Sequence, residues 1–233
     1  MNILDHLFAE SCRICHQLIP ARIAQAKTLC DACWLPLFEQ KSQTDACIVP
    51  GFESINVIHA AEYAETLKLL LYKLKYDDDR LIAKDLAVLL HHALTRKGLP
   101  QPNQPSSPSA LQLIPIPLSH WRRIKRGYNQ SELLAKHLNK HSGIRVNSSL
   151  LKRVKETQAQ HNLTRPERYL NLQGAFFCKS LDRTAPASYI LIDDIHTSGS
   201  TLAEAARTMF TAGATTVSAL TVARAPLHMA QKH

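Results

Sequence analysis

Two rhythms of apolar residues run along the chain. Tyr63, Leu67, Leu70, Leu71 and Leu74 fall at helical spacing, with Lys68, Lys73 and Lys75 elsewhere on the wheel, and so predict an amphipathic helix. The same spacing puts Leu86, Leu89, Leu90 and Leu94 on one face of a helix from 79 to about 96. It puts Leu133, Leu134 and Leu138 on a helix opened by Asn129 and stopped near Gly143, and Leu202, Ala205, Ala206, Met209 and Phe210 on one ending before Gly213. The second rhythm is the short apolar run: 54–63 around Ile55, Val57 and Ile58, then 111–116, then 188–192. The last of these is rich in β-branched residues and does not alternate, as expected of a strand buried on both faces of a parallel sheet. Strands separated by helices predict an α/β fold, a doubly wound, mostly parallel sheet.

Polar residues mark the junctions. Asn129 with Glu132, and Thr201 with Glu204, match the capping box. The run Asp77-Asp78-Asp79 reads as the cap of the helix after it rather than as a metal site. Residues 40–50 read as a connector, and 98–109, with four prolines, as a flexible surface loop. The polar, basic stretch 151–171 is either a flap over a site or a short structural arm.

A length of 233 residues allows one large domain or two small ones, and 45% hydrophobic residues suffice for an ordinary core. No basic region followed by a long apolar run opens the chain, and no apolar run approaches the roughly 20 residues that span a bilayer. A cytoplasmic protein without membrane insertion is expected. The net charge of +9, from 28 Lys and Arg against 19 Asp and Glu, predicts an anionic partner. Nucleic acid and phosphorylated metabolites both qualify, and charge alone does not choose between them.

The cysteines sharpen the picture at the N-terminus. Cys12 and Cys15 form one CxxC pair and Cys30 and Cys33 another, a spacing with which two tight turns surround one tetrahedral zinc ion. Four protein ligands leave no open position, so the zinc is expected to be structural. His16 is a candidate substitute ligand but reads as a surface residue, and Cys47 and Cys178 as small apolar residues. Residues 1–50 are accordingly assigned to a zinc-binding four-cysteine knuckle with its connector, and 51–233 to a larger domain.

Two stretches carry candidate chemistry. After the strand at 188–192 come Asp193 and Asp194, then Thr197, Ser198, Gly199, Ser200 and Thr201 at the opening of a helix. Free helix N–H groups, the positive end of the dipole, four hydroxyls and a glycine favour a phosphate there. Two carboxylates would repel that phosphate, so Asp193 and Asp194 are expected to address ribose hydroxyls or a magnesium ion. No lysine sits in the loop, which excludes a Walker A site. The second stretch follows the strand at 111–116: Trp121, Arg122, Arg123, Lys125, Arg126 and Tyr128 form a basic loop ahead of the helix at Asn129. Its cations suit a pyrophosphate or a nucleic-acid backbone, and Trp121 and Tyr128 suit stacking on bases. In a doubly wound sheet both loops lie on one edge and face one ligand.

The Asp193–Thr201 pattern resembles the phosphoribosyl-pyrophosphate (PRPP) motif of type I phosphoribosyltransferases. The paired cysteines, Pro115-Ile116-Pro117-Leu118, Arg126-Gly127-Tyr128-Asn129-Gln130, Arg153 with Thr157 and Gln160, then Leu163, Arg168 and 171–176, in this order with the PRPP-like loop, resemble the ComF (GntX) family. The resemblance implies a type I phosphoribosyltransferase-like fold carrying a zinc knuckle and a role in natural transformation, the uptake of single-stranded DNA. It assigns Asp193 and Asp194 to the ribose hydroxyls of PRPP, Thr197, Ser198, Gly199, Ser200 and Thr201 to its 5′-phosphate, and magnesium to PRPP. His196 receives no role. PRPP, single-stranded DNA and other competence or recombination proteins are the expected partners. Whether the chain transfers a phosphoribosyl group stays open, because no catalytic residue or acceptor is evident; an active phosphoribosyltransferase on a base or amine is the alternative.

Overall fold

The computed structural model describes residues 10–20, 27–98, 111–157, 165–181 and 188–225. Most of the proline-rich loop expected at 98–109, and Gln160 and Leu163 of the basic stretch, lie outside them.

In chain order the elements are β1 (Glu10–Ser11), β2 (Leu18–Ile19), α1 (Asp31–Phe38), β3 (Gln43–Cys47), β4 (Ile55–Glu62), α2 (Glu65–Tyr76), α3 (Ile82–Arg96), β5 (Gln112–Pro115), α4 (His120–Arg126) and α5 (Gln130–Ser142). They continue with β6 (Arg145–Val146), β7 (Leu151–Arg153), α6 (Arg165–Leu172), β8 (Phe176–Cys178), β9 (Ser188–His196), α7 (Ser200–Thr211) and β10 (Thr216–Arg224). The central sheet has six strands in the order β3-β4-β10-β9-β5-β6, and only the β3–β4 pair is antiparallel. Mostly parallel strands with covering helices make this an α/β fold.

The unalternated run at 188–192 is explained by burial on two sides. Tyr189 and Leu191 enter one core with Leu202, Ala205 and Met209 of α7, while Ile190 and Ile192 enter the other with Leu67, Leu71, Leu86, Leu90 and Leu134 from α2, α3 and α5. From β5 the chain proceeds to β6 on one side, and from β9 to β10 on the other. Strand order therefore reverses between these parallel neighbours, whose register pairs Pro115 with Ile192, and the crevice outside their carboxyl ends is where such sheets bind ligands.

The knuckle is packed onto this body. Cys12, Ile19, Leu29 and Trp34 share a core with Leu86 and Leu90, the Thr28 amide and hydroxyl donate to buried Asp85 at 2.9 and 2.5 Å, and Arg13 pairs with Asp79 at 3.1 Å.

Several boundaries differ from the pattern reading. The expected connector contains β3, a polar edge strand held by β4 rather than by an apolar face of its own. The expected basic loop is largely the short helix α4, closed by Gly127 in the left-handed conformation. The Asp run does not cap α3, which starts at Ile82 with Leu81 at its cap. Asp77, Asp78 and Asp79 pair instead with Lys73, Arg80 and Arg13. Neither capping box closes fully. Asn129 does accept from the Ser131 amide, but Glu132 pairs with Lys136. Glu204 is fully buried, accepting from the Gly174 amide and pairing with Arg207.

Candidate functional site

β9 runs on through both carboxylates to His196, so Asp193 and Asp194 belong to the strand and are held by its ladder with β10, where Thr221 faces Asp193 in register. Both are buried. Asp193 Oδ1 accepts from the Ser131 hydroxyl at 3.0 Å and from the Asp194 amide at 2.9 Å. Ser131 can reach it because Asn129 pins the start of α5, donating to the Ile116 carbonyl at 2.9 Å while capping the helix. Asp194 forms an ion pair with Lys75 from the last turn of α2.

These partners drive the two carboxyls apart. Burial and the neighbouring Asp194 charge push Asp193 up to about 7, against the Asp194 amide, Ser131 and Lys75. Burial pushes Asp194 up as well, but the Lys75 ammonium, with the Asp193 contact and Arg126, holds the group below the usual carboxylate range. Near neutral pH Asp193 is thus only partly ionised, while Asp194 carries a charge compensated by Lys75. That arrangement offers hydrogen-bond acceptors to hydroxyls without presenting two bare charges to a phosphate.

The loop after β9 makes one tight turn into α7. Gly199 takes φ +79°, and a Cβ there would lie 2.8 Å from His196 Nε2 and 3.3 Å from Cys47 Sγ, so the turn is backbone packed against side chains. Ser198 and Ser200 hydroxyls meet at 2.9 Å, and the Ser200 amide reaches Ser198 Oγ at 3.4 Å. Thr197 is exposed, Ser198 and Thr201 half-buried, Ser200 buried. The residues expected to cradle a phosphate therefore do surround the N-terminus of α7.

Across the crevice, α4 leaves Trp121, Arg122, Arg123, Ile124 and Lys125 exposed. Arg126 is half-buried, donates to Gln130 at 2.6 Å and lies over the Tyr76 ring, 5.5 Å from its centroid. Tyr128 corrects the sequence reading. Its ring is buried, its hydroxyl donates to the Leu74 carbonyl and the Arg80 guanidinium covers it 4.7 Å from the centroid, so it offers no open face to a base. Trp121, 69% exposed, does. The described part of the basic stretch lies against this helix: Glu156 accepts from the His120 amide at 2.6 Å. Burial holds the Arg153 guanidinium below its usual value, with Arg122, Glu156 and Asp193 as its charged neighbours.

The four knuckle cysteines converge, their sulfurs within 4.8 Å of one another and Cys15 Sγ 3.5 Å from Cys30 Sγ. Zinc with bonds of about 2.3 Å separates tetrahedral thiolates by about 3.8 Å. The set can hold such an ion. Burial raises the Cys12 thiol, but the amides of Cys30, Cys15 and Ile14 outweigh it and bring it down to about 6, toward the thiolate a metal needs. His16 is exposed beside the set. No helix among the described residues is long and apolar enough to cross a membrane.

Pattern reading missed Lys75, Ser131, and the contacts of His196 with His59 and, through His59, with Asp45. Of these, His59 carried a local signal, as a polar residue inside the apolar run 54–63.

No family model matches the chain. It is similar to a protein of Escherichia coli O157:H7 named DNA utilization protein YhgH, with 32% identity over 196 residues, 82% of each chain. It is equally similar, at 32% identity, to competence protein F of Haemophilus influenzae over 177 residues, 76% of this chain and 75% of that one. Competence protein ComFC of Streptococcus pneumoniae is 32% identical over 174 residues, 74% of this chain and 70% of its own.

Proposed function

The chain belongs to the ComF family, and from that premise we propose that it acts in natural transformation as a PRPP-holding protein that handles single-stranded DNA. Its larger part is then a type I phosphoribosyltransferase-like domain and its four-cysteine knuckle a structural zinc site. The observation that carries the reading is the juxtaposition at the β5/β9 crevice: one serine-bonded and one lysine-compensated carboxyl, a hydroxyl-lined helix N-terminus, and a cationic helix opposite.

In this reading Asp193 and Asp194 bind the ribose hydroxyls, which donate to carboxyl oxygens already oriented by Ser131 and Lys75. Thr197, Ser198, Gly199, Ser200 and Thr201 surround the 5′-phosphate with amides and hydroxyls. Magnesium, when bound with PRPP, neutralises pyrophosphate oxygens. Arg122, Arg123, Lys125 and Arg126 meet the pyrophosphate or a DNA backbone, with Trp121 available to stack on a base. Relatives named for competence and DNA utilization support DNA as the partner.

The test is PRPP binding and labelled single-strand binding on one preparation, wild type beside Asp193→Ala, Asp194→Ala and a charge reversal at Arg122, Arg123 and Lys125. The aspartate variants are expected to lose PRPP and retain DNA. The charge reversal is expected to weaken DNA binding and flatten its salt dependence, by about 0.7 in log–log slope per cation removed. No PRPP binding by the wild type, or unchanged DNA affinity in the reversal, sinks the corresponding half. Pyrophosphate release in a screen of base and amine acceptors would turn the reading into an active transferase.

A further inference from the structure

Behind the hydroxyl loop, side chains from three strands converge: Asp45 from β3, His59 from β4 and His196 from the end of β9, with one donor atom of each within 4.8 Å of the others. His59 is completely buried. Its Nδ1 lies 2.7 Å from Thr221 Oγ1, and that hydroxyl spends its proton on the Ala223 carbonyl at 3.3 Å. With the ring proton on Nδ1, His59 donates to Thr221 and Nε2 carries a lone pair; with it on Nε2, the ring donates to Asp45 instead. Nε2 faces Asp45 Oδ2, 3.1 Å away, and His196 Nδ1, 3.4 Å away. In the first tautomer a lone pair faces a carboxylate, and a bound cation would turn that repulsion into shared coordination.

We propose that Asp45, His59 and His196 form a second metal site, for a divalent first-row transition ion such as Zn(II), with an open position for water or an anion. A tetrahedral ion with bonds of about 2.1 Å separates neighbouring ligand atoms by about 3.4 Å, close to both observed separations. Two imidazoles and one carboxylate select such an ion over magnesium, which prefers oxygen ligands. Thr221 supplies the hydrogen bond on the non-ligating nitrogen that metal-bound histidines require.

Arg224 is the competitor. Its Nε meets Asp45 Oδ2 at 2.6 Å, and its side chain, 42% exposed, can turn to solvent when an ion takes the carboxylate. The ion would also stiffen the loop, because the His196 edge opposite Nδ1 lies against Gly199.

The test is metal content of the full-length protein equilibrated with Zn(II) and desalted, wild type beside His196→Asn, Asp45→Asn and Arg224→Gln, each checked for folding by its melting curve. His196→Asn and Asp45→Asn are expected to hold one zinc per chain fewer than wild type. The same protein loaded with Co(II) is expected to keep its thiolate charge-transfer bands in both variants, which separates this site from the cysteines. Arg224→Gln is expected to bind the extra ion roughly fivefold more tightly or better, since a competing charge is gone. It also serves as the test should the other variants fail to fold. Equal zinc in wild type and His196→Asn, or no tighter binding in Arg224→Gln, overturns the proposal.

Discussion

Lys75 and Asp194 form a shielded ion pair, their side chains 19% and 7% exposed, that ties the end of α2 to the edge where β9 opens into its loop. Removing the cation leaves a buried carboxylate without compensation. Lys75→Met is therefore expected to lose about 3 kcal/mol of stability at neutral pH, while Lys75→Met with Asp194→Asn recovers most of it. Urea denaturation of the two single variants and the double checks this; strictly additive losses would mean that the pair is not coupled.

Asp193 gives stability a pH dependence of definite sign. Its folded pKa of about 7 stands above the ordinary 3.8, so the folded state holds the proton more tightly than the unfolded one. Its contribution is full below about pH 4 and is lost as pH rises through about 7. Asp194, held low, contributes in the opposite sense, its share lost only as pH falls below the ordinary carboxylate range. Asp193→Asn is expected to remove the decline between pH 4 and 7 and to be more stable than wild type at pH 8. Denaturation midpoints across that range measure it, and an unchanged profile would count against the assignment.

At Gly199 the left-handed backbone and the 2.8 Å approach of His196 Nε2 act together. Gly199→Ala is expected to cost about 1–2 kcal/mol from the backbone alone, with further cost as His196 shifts. Because the turn aims the α7 amides, PRPP binding should weaken by more than stability predicts. Calorimetry beside a melting curve distinguishes the two effects.

The knuckle cysteines are expected to couple metal to folding. In Cys12→Ser with Cys30→Ser, the thiolate-bound zinc should be lost and amide protection across 12–20 and 27–33 should collapse. Cys12, Leu29 and Trp34 share the core with Leu86 and Leu90, so the melting temperature of the whole chain should fall too. Hydrogen exchange and metal analysis test this, and zinc content equal to wild type would refute it.

Much of this was legible from local pattern. Leucine spacing identified α2, α3 and α5, and the unalternated run identified β9 as a doubly buried strand. The cysteine pairs do converge and the Asp193–Thr201 string does lie at one helix N-terminus, since each is contiguous and built by its own turn. Where pattern misled, a competing contact, local or long-range, took the residue. Glu204 and Glu132 had the spacing of capping residues, yet ion pairs at i+3 and i+4, and for Glu204 the Gly174 amide, took them instead. Tyr128 looked like a stacking residue until the end of α2 buried it.

By itself the sequence determined what is periodic or contiguous: the helices α2, α3, α5 and α7, the strands β4, β5 and β9, the two cysteine pairs and the order of carboxylates and hydroxyls at the start of α7. These depend on interactions a few residues long, which spacing records directly. Only the tertiary structure decided that Lys75 neutralises Asp194, that Ser131 orients Asp193, and that His59, Asp45 and His196 meet behind the loop. Those meetings follow from strand order and register, set by packing both faces of the sheet at once, and no local pattern encodes them.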